Sequence, residues 1–373
     1  MNNKDMKVTN NIPTVSVDKL VNNLSIMYSS LINSNNLDKA PSVMLWGPMG
    51  VGKSQSIRAL AKMIEDNTKK RVNITDVRLL LFNPVDLRGI PTSNADKTLA
   101  IWLKPQIFQM DESSDVINIL FLDEISAAPV SVQAAAYQIT LDKKVGEHKL
   151  PNNCIVIAAG NRTTDKSVAY QMPKALANRL MHFDVVANND SWNKWAIANN
   201  INEKVIGFIK FKQNALMNCD LKPNDLAFGT PRSWEMVSNI LNYVSNDIKE
   251  VYDLISGLVG NDLATELSAW CRLYKKLPSV EDIFNGKCTT VPQEPDVLYA
   301  LCSSMAIYAK ENQKDLDKIR NSIIYALNFP ADYQIVLFKD YLYISNEFKS
   351  DLLRIDEFRF WLNKKGKLLD VIK

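Results

Sequence analysis

Gly47-Pro48-Met49-Gly50-Val51-Gly52-Lys53-Ser54 stands directly between an apolar run, Val43–Trp46, and a helical pattern, Ser54–Ile64. It fits G-x-x-x-x-G-K-[ST], and of everything in the chain it most restricts the fold. A glycine-rich turn that joins a strand to a helix N-terminus points successive backbone N–H groups at one place. The helix dipole adds attraction for an anion there. The pattern predicts a phosphate-binding loop over residues 47–54, with Lys53 reaching β- and γ-phosphates and the Ser54 hydroxyl holding Mg²⁺.

Such a loop needs a parallel sheet around it, and the surrounding sequence supplies the pattern. From Pro41 to Val186 short apolar runs alternate with helical spacing, the mark of an α/β domain. Strands are expected at Val43–Trp46, Val77–Leu81, Ile117–Leu122, Cys154–Ala159 and Met181–Val186, each apolar almost throughout, as strands covered on both faces should be. Residues 1–15 are polar and Asn-rich and are expected to lack structure, with a leading helix over Val17–Leu31. Turn residues flanked by short apolar runs predict a projecting hairpin over Asn83–Leu103 and a second over Lys143–Leu150.

After Asn188 the pattern becomes helical, with segments at Trp192–Ala198, Asn202–Lys212, Trp234–Ser245 and Ile248–Ser256. Leu277–Pro295 interrupts this with Pro and Gly. Packed helices are expected beyond it at Asp296–Ala309 and Asn312–Leu327. The expected domains are a leader over 1–39, an α/β core over 40–187, a helical lid over 188–280 and a helical C-terminal region over 281–373.

Three further features carry chemistry. Ile119-Leu-Phe-Leu-Asp123-Glu124 is an apolar strand ending in paired carboxylates. A buried strand delivers Asp123 rigidly to a metal, and Glu124 beside it is placed to polarise an attacking water. Cys154–Asn161 ends a second buried strand with an amide that either holds the water or γ-phosphate or simply forms the turn. Arg179 and Arg232 each have two readings, a surface ion pair or a contact with a γ-phosphate; for Arg179 that phosphate would be a neighbouring subunit's. Asn161-Arg-Thr-Thr-Asp165 does not match the Asn-Lys-x-Asp guanine reader, which makes ATP the expected nucleotide.

Composition narrows the remaining classes. Lys and Arg number 44 against 41 Asp and Glu, a net +3 that is too mild for an electrostatic footprint on nucleic acid or anionic lipid. Cys154, Cys219, Cys271, Cys288 and Cys302 are odd in number and widely spaced, and His148 and His182 are the only histidines. That inventory suits neither a disulfide framework nor a zinc site and fits a reducing compartment. No apolar stretch reaches the length of a membrane span, so a cytoplasmic protein without a membrane partner is expected.

Taken in order, Gly47–Ser54, Asp86-Leu-Arg-Gly-Ile-Pro91, Leu122–Ala136, Ala158–Asn161, Pro173–Leu180 and Thr230-Pro-Arg-Ser233 resemble a MoxR-type AAA+ ATPase of the helix-2-insert clade over residues 40–245. The resemblance implies a P-loop NTPase fold with a parallel five-stranded sheet of order 5-1-4-3-2 flanked by helices, then an α-helical lid. It also implies a homo-oligomer, a hexameric ring with ATP and Mg²⁺ at subunit interfaces. In that scheme Lys53 and Glu124 are catalytic, Asp123 and Ser54 hold the metal, Asn161 is sensor 1, Arg179 is the trans-acting finger and Arg232 is the sensor 2 arginine. The two hairpins would face the pore or a partner. The implied role is chaperone-like remodelling of a protein client, with a von Willebrand factor A domain protein as a possible kind of partner. Two other readings stay open: a nucleic-acid motor, for which Lys97, Lys143, Lys144 and Lys149 on the hairpins offer a thin footing, and a nucleotide-dependent assembly switch.

Overall fold

The computed structural model describes residues 11–162, 172, 174–218 and 225–365, which leaves Cys219, Pro173 and the first ten residues outside. The chain forms two compact units, residues 1–186 and 187–373. In the first, β1 (Thr14–Val15) and α1 (Val17–Asn33) precede β2 (Val43–Trp46), α2 (Lys53–Thr68) and β3 (Arg71–Arg78). Then come α3 (Pro84–Arg88), the antiparallel pair β4 (Ile90–Ser93) and β5 (Ala100–Leu103), β6 (Val116–Asp123) and α4 (Val130–Asp142). The short antiparallel pair β7 (Lys144–Val145) and β8 (His148–Lys149) leads to β9 (Cys154–Gly160), α5 (Lys174–Ala177) and β10 (Met181–Val185).

The main sheet is six-stranded and parallel, in the order β1-β10-β2-β9-β6-β3. Without β1 this is the 5-1-4-3-2 order, so the expected sheet is present with one strand added at its edge. That strand comes from the segment expected to lack structure. Pro13 and Val15 carbonyls accept from the Asp184 and Val186 amides at 2.9 and 3.0 Å, closing what would otherwise be an open edge. A two-residue strand is too short to leave a period in the sequence.

The interior strands β6 and β9 are buried at every residue, as a strand with helices on both faces must be. β3 differs from the expected Val77–Leu81. It runs Arg71–Arg78 with most residues exposed, and Leu79–Leu81 form a 3₁₀ turn. As an edge strand β3 needs little apolar cover, so its polar first half gave no signal. α1 buries Leu20, Val21, Leu24, Tyr28 and Ile32 along one face, each worth roughly 1.5–3 kcal/mol against exposure.

The second unit is helical: α6 (Asn189–Ala198), α7 (Glu203–Phe211), α8 (Pro231–Tyr243), α9 (Tyr252–Val259), α10 (Asn261–Cys271) and α11 (Val280–Phe284), then α12 (Pro295–Glu311), α13 (Leu316–Ala326), α14 (Ala331–Ile344), α15 (Asn346–Leu352) and α16 (Asp356–Lys365). α9 starts later than the expected Ile248, because Ile248 and Val251 serve as buried anchors in the turn before it. A single apolar core runs through the unit, joining Phe208, Trp234 and Trp270 to Met305, Phe338, Tyr341 and Trp361. It crosses residue 280 without a break. Inside it, Lys210 of α7 pairs with Asp340 of α14, and burial holds the Asp340 carboxyl above the usual carboxylate range despite the lysine's opposing pull.

Among the described residues Cys154, Cys271, Cys288 and Cys302 are free thiols. Burial pushes the Cys154 thiol up to about 12 and Cys271 to about 11, which keeps both protonated and unreactive. No helix among the described residues is long and apolar enough to cross a membrane.

Candidate functional site

The loop between β2 and α2 takes a path that only glycine follows easily. Gly47, Gly50 and Gly52 have φ of 153°, 74° and 109°. At Gly47 a Cβ would also stand 2.5 Å from the Val185 carbonyl oxygen, so the chain must be bare where the loop leaves the sheet. Val51 is buried and pins the loop, whereas Met49 at its tip is half exposed and Pro48 lies between these extremes.

Lys53 opens α2 and is itself buried. Its Nζ donates to the Gly47 carbonyl at 2.5 Å, to the Pro48 carbonyl at 3.0 Å and to Asn161 Oδ1 at 3.0 Å. The ammonium is thus held across the mouth of the loop by acceptors that an incoming phosphate oxygen can replace. Ser54 Oγ donates to Asp123 Oδ2 at 3.1 Å, and the other carboxylate oxygen accepts the Glu124 amide at 2.9 Å. Lys53, Ser54, Asp123 and Asn161 therefore meet at one place, from three separate segments of chain.

Glu124 lies in the left-handed region at φ 59°, a conformation that costs a non-glycine residue of order 1–3 kcal/mol. The turn that imposes it is tied down by the Ile125 amide, which donates to the Ala159 carbonyl at 2.9 Å. Asn161 is placed by Ser126, a residue of the Leu122–Ala136 stretch to which the motif gives no role. Ser126 Oγ accepts the Asn161 amide at 2.9 Å, and a Cβ on Gly160 would stand 2.7 Å from the same oxygen. Only a glycine before the asparagine lets that serine close in.

Asp76 on β3 is a further group that no motif marks. Burial, and then the Asp123 charge, hold its carboxyl above the usual range, with Arg78 and Arg58 opposing. Arg78 is in register with Asp123 across the β3–β6 pair. The acidic end of β6 thus has the Asp76 carboxylate and the Arg78 guanidinium near it, which no local motif announces.

The two arginines with double readings are both exposed. Arg179 follows α5 in the first unit. Arg232 sits in the first turn of α8 in the second unit, after the N-cap Thr230, whose side chain accepts the Ser233 amide at 3.0 Å while Ser233 Oγ accepts the Thr230 amide at 2.8 Å. The motif Thr230-Pro-Arg-Ser233 is thus a capping box that fixes where Arg232 leaves the helix.

Both expected hairpins form, and they touch. His148 Nε2 bonds the Trp102 carbonyl at 2.8 Å, and a Cβ on Gly146 would lie 2.7 Å from the Arg88 carbonyl. Register puts Ile90, Leu103 and Ile101 on one face of the β4–β5 pair, and all three are exposed, as is Leu99 beside them. Of the hairpin lysines, Lys143 turns inward: its Nζ donates to the Asp38 carbonyl at 3.0 Å, and burial lowers its pKa.

Residues 42–182 match the AAA_3 family, described as the ATPase family associated with various cellular activities. No curated protein matches the chain. Among solved structures, the chain is similar to Caenorhabditis elegans PCH-2 at 11% identity, covering 70% of this chain and 69% of that one with a TM-score of 0.35. It is similar at 14% identity to a chain of the HORMA:CdnC:Trip13 complex of Escherichia coli MS115-1, covering 69% and 88% with a TM-score of 0.37. A RuvB mutant from Thermotoga maritima is similar at 13% identity, covering 79% and 86% with a TM-score of 0.35. With its 5-1-4-3-2 parallel core, its glycine loop and the carboxylates at the end of β6, the stretch matched to the AAA_3 ATPases, residues 42–182, has the AAA+ P-loop NTPase fold.

Proposed function

We propose that the protein hydrolyses ATP as a MoxR-type AAA+ ring and uses the cycle to remodel or assemble a protein partner. The observation that carries the ATPase reading is the pair of hydrogen bonds Lys53–Asn161 and Ser54–Asp123, set side by side because residues 53 and 54 are adjacent. In this reading the residue 47–54 loop binds the phosphates through its amides, and the Lys53 ammonium exchanges its carbonyl partners for β- and γ-phosphate oxygens. The Ser54 hydroxyl and the Asp123 carboxylate, already paired, are a hard oxygen set of the kind Mg²⁺ takes alongside water and phosphate. Mg²⁺ bound there would neutralise charge on the phosphoryl group. Glu124 orients and polarises the attacking water, and Asn161, freed from Lys53, holds the water or the γ-phosphate. Arg179 is exposed, as a finger reaching a neighbouring subunit must be, and Arg232 is the lid's arginine for the nucleotide.

A protein partner is favoured by the surface of the β4–β5 hairpin, where Ile90, Leu99, Ile101 and Leu103 are exposed together. A nucleic-acid motor would want a basic, aromatic surface there, and Lys143 is committed to its own fold. Glu124→Gln tests the assignment. ATP turnover should fall by at least about 10², since general-base assistance is worth roughly that much, while ATP binding and ring size are retained. Turnover left unchanged would overturn the role given to Glu124. Partners captured on this variant with ATP, with and without nuclease, separate protein remodelling from nucleic-acid work.

A further inference from the structure

β10 is paired on both sides, to β1 and to β2, yet it carries two polar residues on one face. Phe183 and Val185 supply the buried apolar face that such a strand needs. His182 and Asp184 alternate with them, and each is engaged on two sides. His182 Nδ1 accepts from Trp46 Nε1 at 2.9 Å, and His182 Nε2 donates to the Ala177 carbonyl at 2.7 Å. Because an indole N–H can only donate and a carbonyl can only accept, these partners fix the ring as the Nε2–H tautomer. The imidazole also stacks beside the Trp46 ring, 6.2 Å between centroids and 14° between planes. Asp184 is ion-paired with Arg162 and accepts from Thr14 Oγ1 at 3.5 Å.

The partners of this face matter because of what adjoins them. Trp46 directly precedes Gly47, whose carbonyl holds Lys53. Arg162 directly follows Asn161, whose side chain also holds Lys53. Ala177 ends α5, two residues before Arg179. One strand face therefore ties two of the groups that hold Lys53, the Gly47 carbonyl and Asn161, to the segment presenting the exposed arginine. Stability alone does not account for it, since a buried ion pair contributes little net and an apolar strand would pack as well.

We infer that His182 and Asp184 form a relay that sets the position of Arg179 according to the state of the subunit's own nucleotide site, with His182 as the positioning residue next to the finger. This rests on the reading of Arg179 as a finger for a neighbouring subunit. When a phosphate draws Lys53 off the Gly47 carbonyl and Asn161, the ends of β2 and β9 are free to shift. Trp46 and Arg162 carry that shift to β10, and the His182–Ala177 bond passes it to the start of the Arg179 segment. A subunit that has bound ATP would in this way arm the site of its neighbour.

Mixed rings test it. Wild-type subunits are assembled with an excess of Glu124→Gln subunits, which bind ATP and present Arg179 but do not turn over. His182→Phe is then added to the Glu124→Gln subunits alone. Turnover at the wild-type sites should fall about tenfold, within the 5–150-fold range of coupling between sites, with KM for ATP unchanged. ATP affinity of the variant subunits themselves should shift by no more than that same tenfold, the reciprocal of the lost coupling, whereas a merely structural loss would abolish ATP binding. Trp46→Phe keeps a ring and removes only the indole donor, and should give the same split of kcat from KM even where His182→Phe folds poorly. Arg179→Ala in the same subunits is the control. If it abolishes turnover at the wild-type sites while His182→Phe and Trp46→Phe leave it intact, the relay is wrong and the finger stands. If Arg179→Ala changes nothing, the finger reading fails and takes the relay with it.

Discussion

Asp76 lies two residues before Arg78, the residue opposite Asp123, and its carboxyl titrates above the usual range because of partial burial and the Asp123 charge. A raised carboxyl pKa in the folded state means that its contribution to stability is full below the unfolded value near 3.9 and is lost as pH rises through the folded value. At neutral pH the ionised Asp76 thus weakens the fold relative to a neutral side chain of the same shape. Asp76→Asn should raise the thermal midpoint at pH 7 by roughly 1–2 °C, a small gain because the group is largely exposed and screened. The gain should fade as pH drops toward 4; a gain of equal size at both pH values would show that another cause is at work. Lys53, Ser54, Asp123 and Glu124 were all legible because their chemistry is written in consecutive residues at a strand end. Asp76, Ser126 and His182 were not, since each acquires its role from a partner brought by sheet register from 35 to 136 residues away.

At the scale of elements, the interior strands β6 and β9 were found within a residue of their ends, because burial on both faces forces an unbroken apolar run. The edge strands were found poorly for the converse reason. β3 exposes most of its length and β1 has two residues, so neither needed a pattern that hydropathy could reveal. The hairpins fall between these cases: turn residues located them, and only the register shows that Ile90, Ile101 and Leu103 share an exposed face. Side chains already in water can be changed at a cost within about ±0.5 kcal/mol, so this face can be probed without unfolding it. The double substitution Ile101→Glu with Leu103→Glu should leave basal ATP turnover unchanged and remove the protein partners captured on Glu124→Gln protein. Undiminished capture would mean that the partner docks elsewhere.

For the chain as a whole, the Pro- and Gly-containing stretch Leu277–Pro295 separates the helices expected over 188–280 from those expected over 281–373, and one apolar core spans both. Phe208, Trp234 and Trp270 share one core with Met305, Phe338 and Trp361, so the helices before the stretch complete their apolar interior against those after it. The buried Lys210–Asp340 pair sits within this shared core. Hydropathy registers where a chain bends and becomes polar, whereas a shared core depends on which faces meet, and that is a long-range fact. Ending the chain after residue 280 should therefore leave residues 187–280 without cooperative unfolding and with exposed apolar surface that binds a hydrophobic dye. Residues 187–373 should unfold in a single transition. The ion pair gives the finer test. Lys210→Met alone leaves a buried carboxylate uncompensated and should cost about 3–5 kcal/mol, while Lys210→Met with Asp340→Leu removes both charges and should return to within about 1 kcal/mol of the parent or exceed it. Urea unfolding of the full chain followed by the helical signal reads both variants. Equal losses in the single and double variants would show that the pair adds net stability to the junction of α7 and α14; recovery in the double variant would show that apolar packing across residue 280 holds the two halves together.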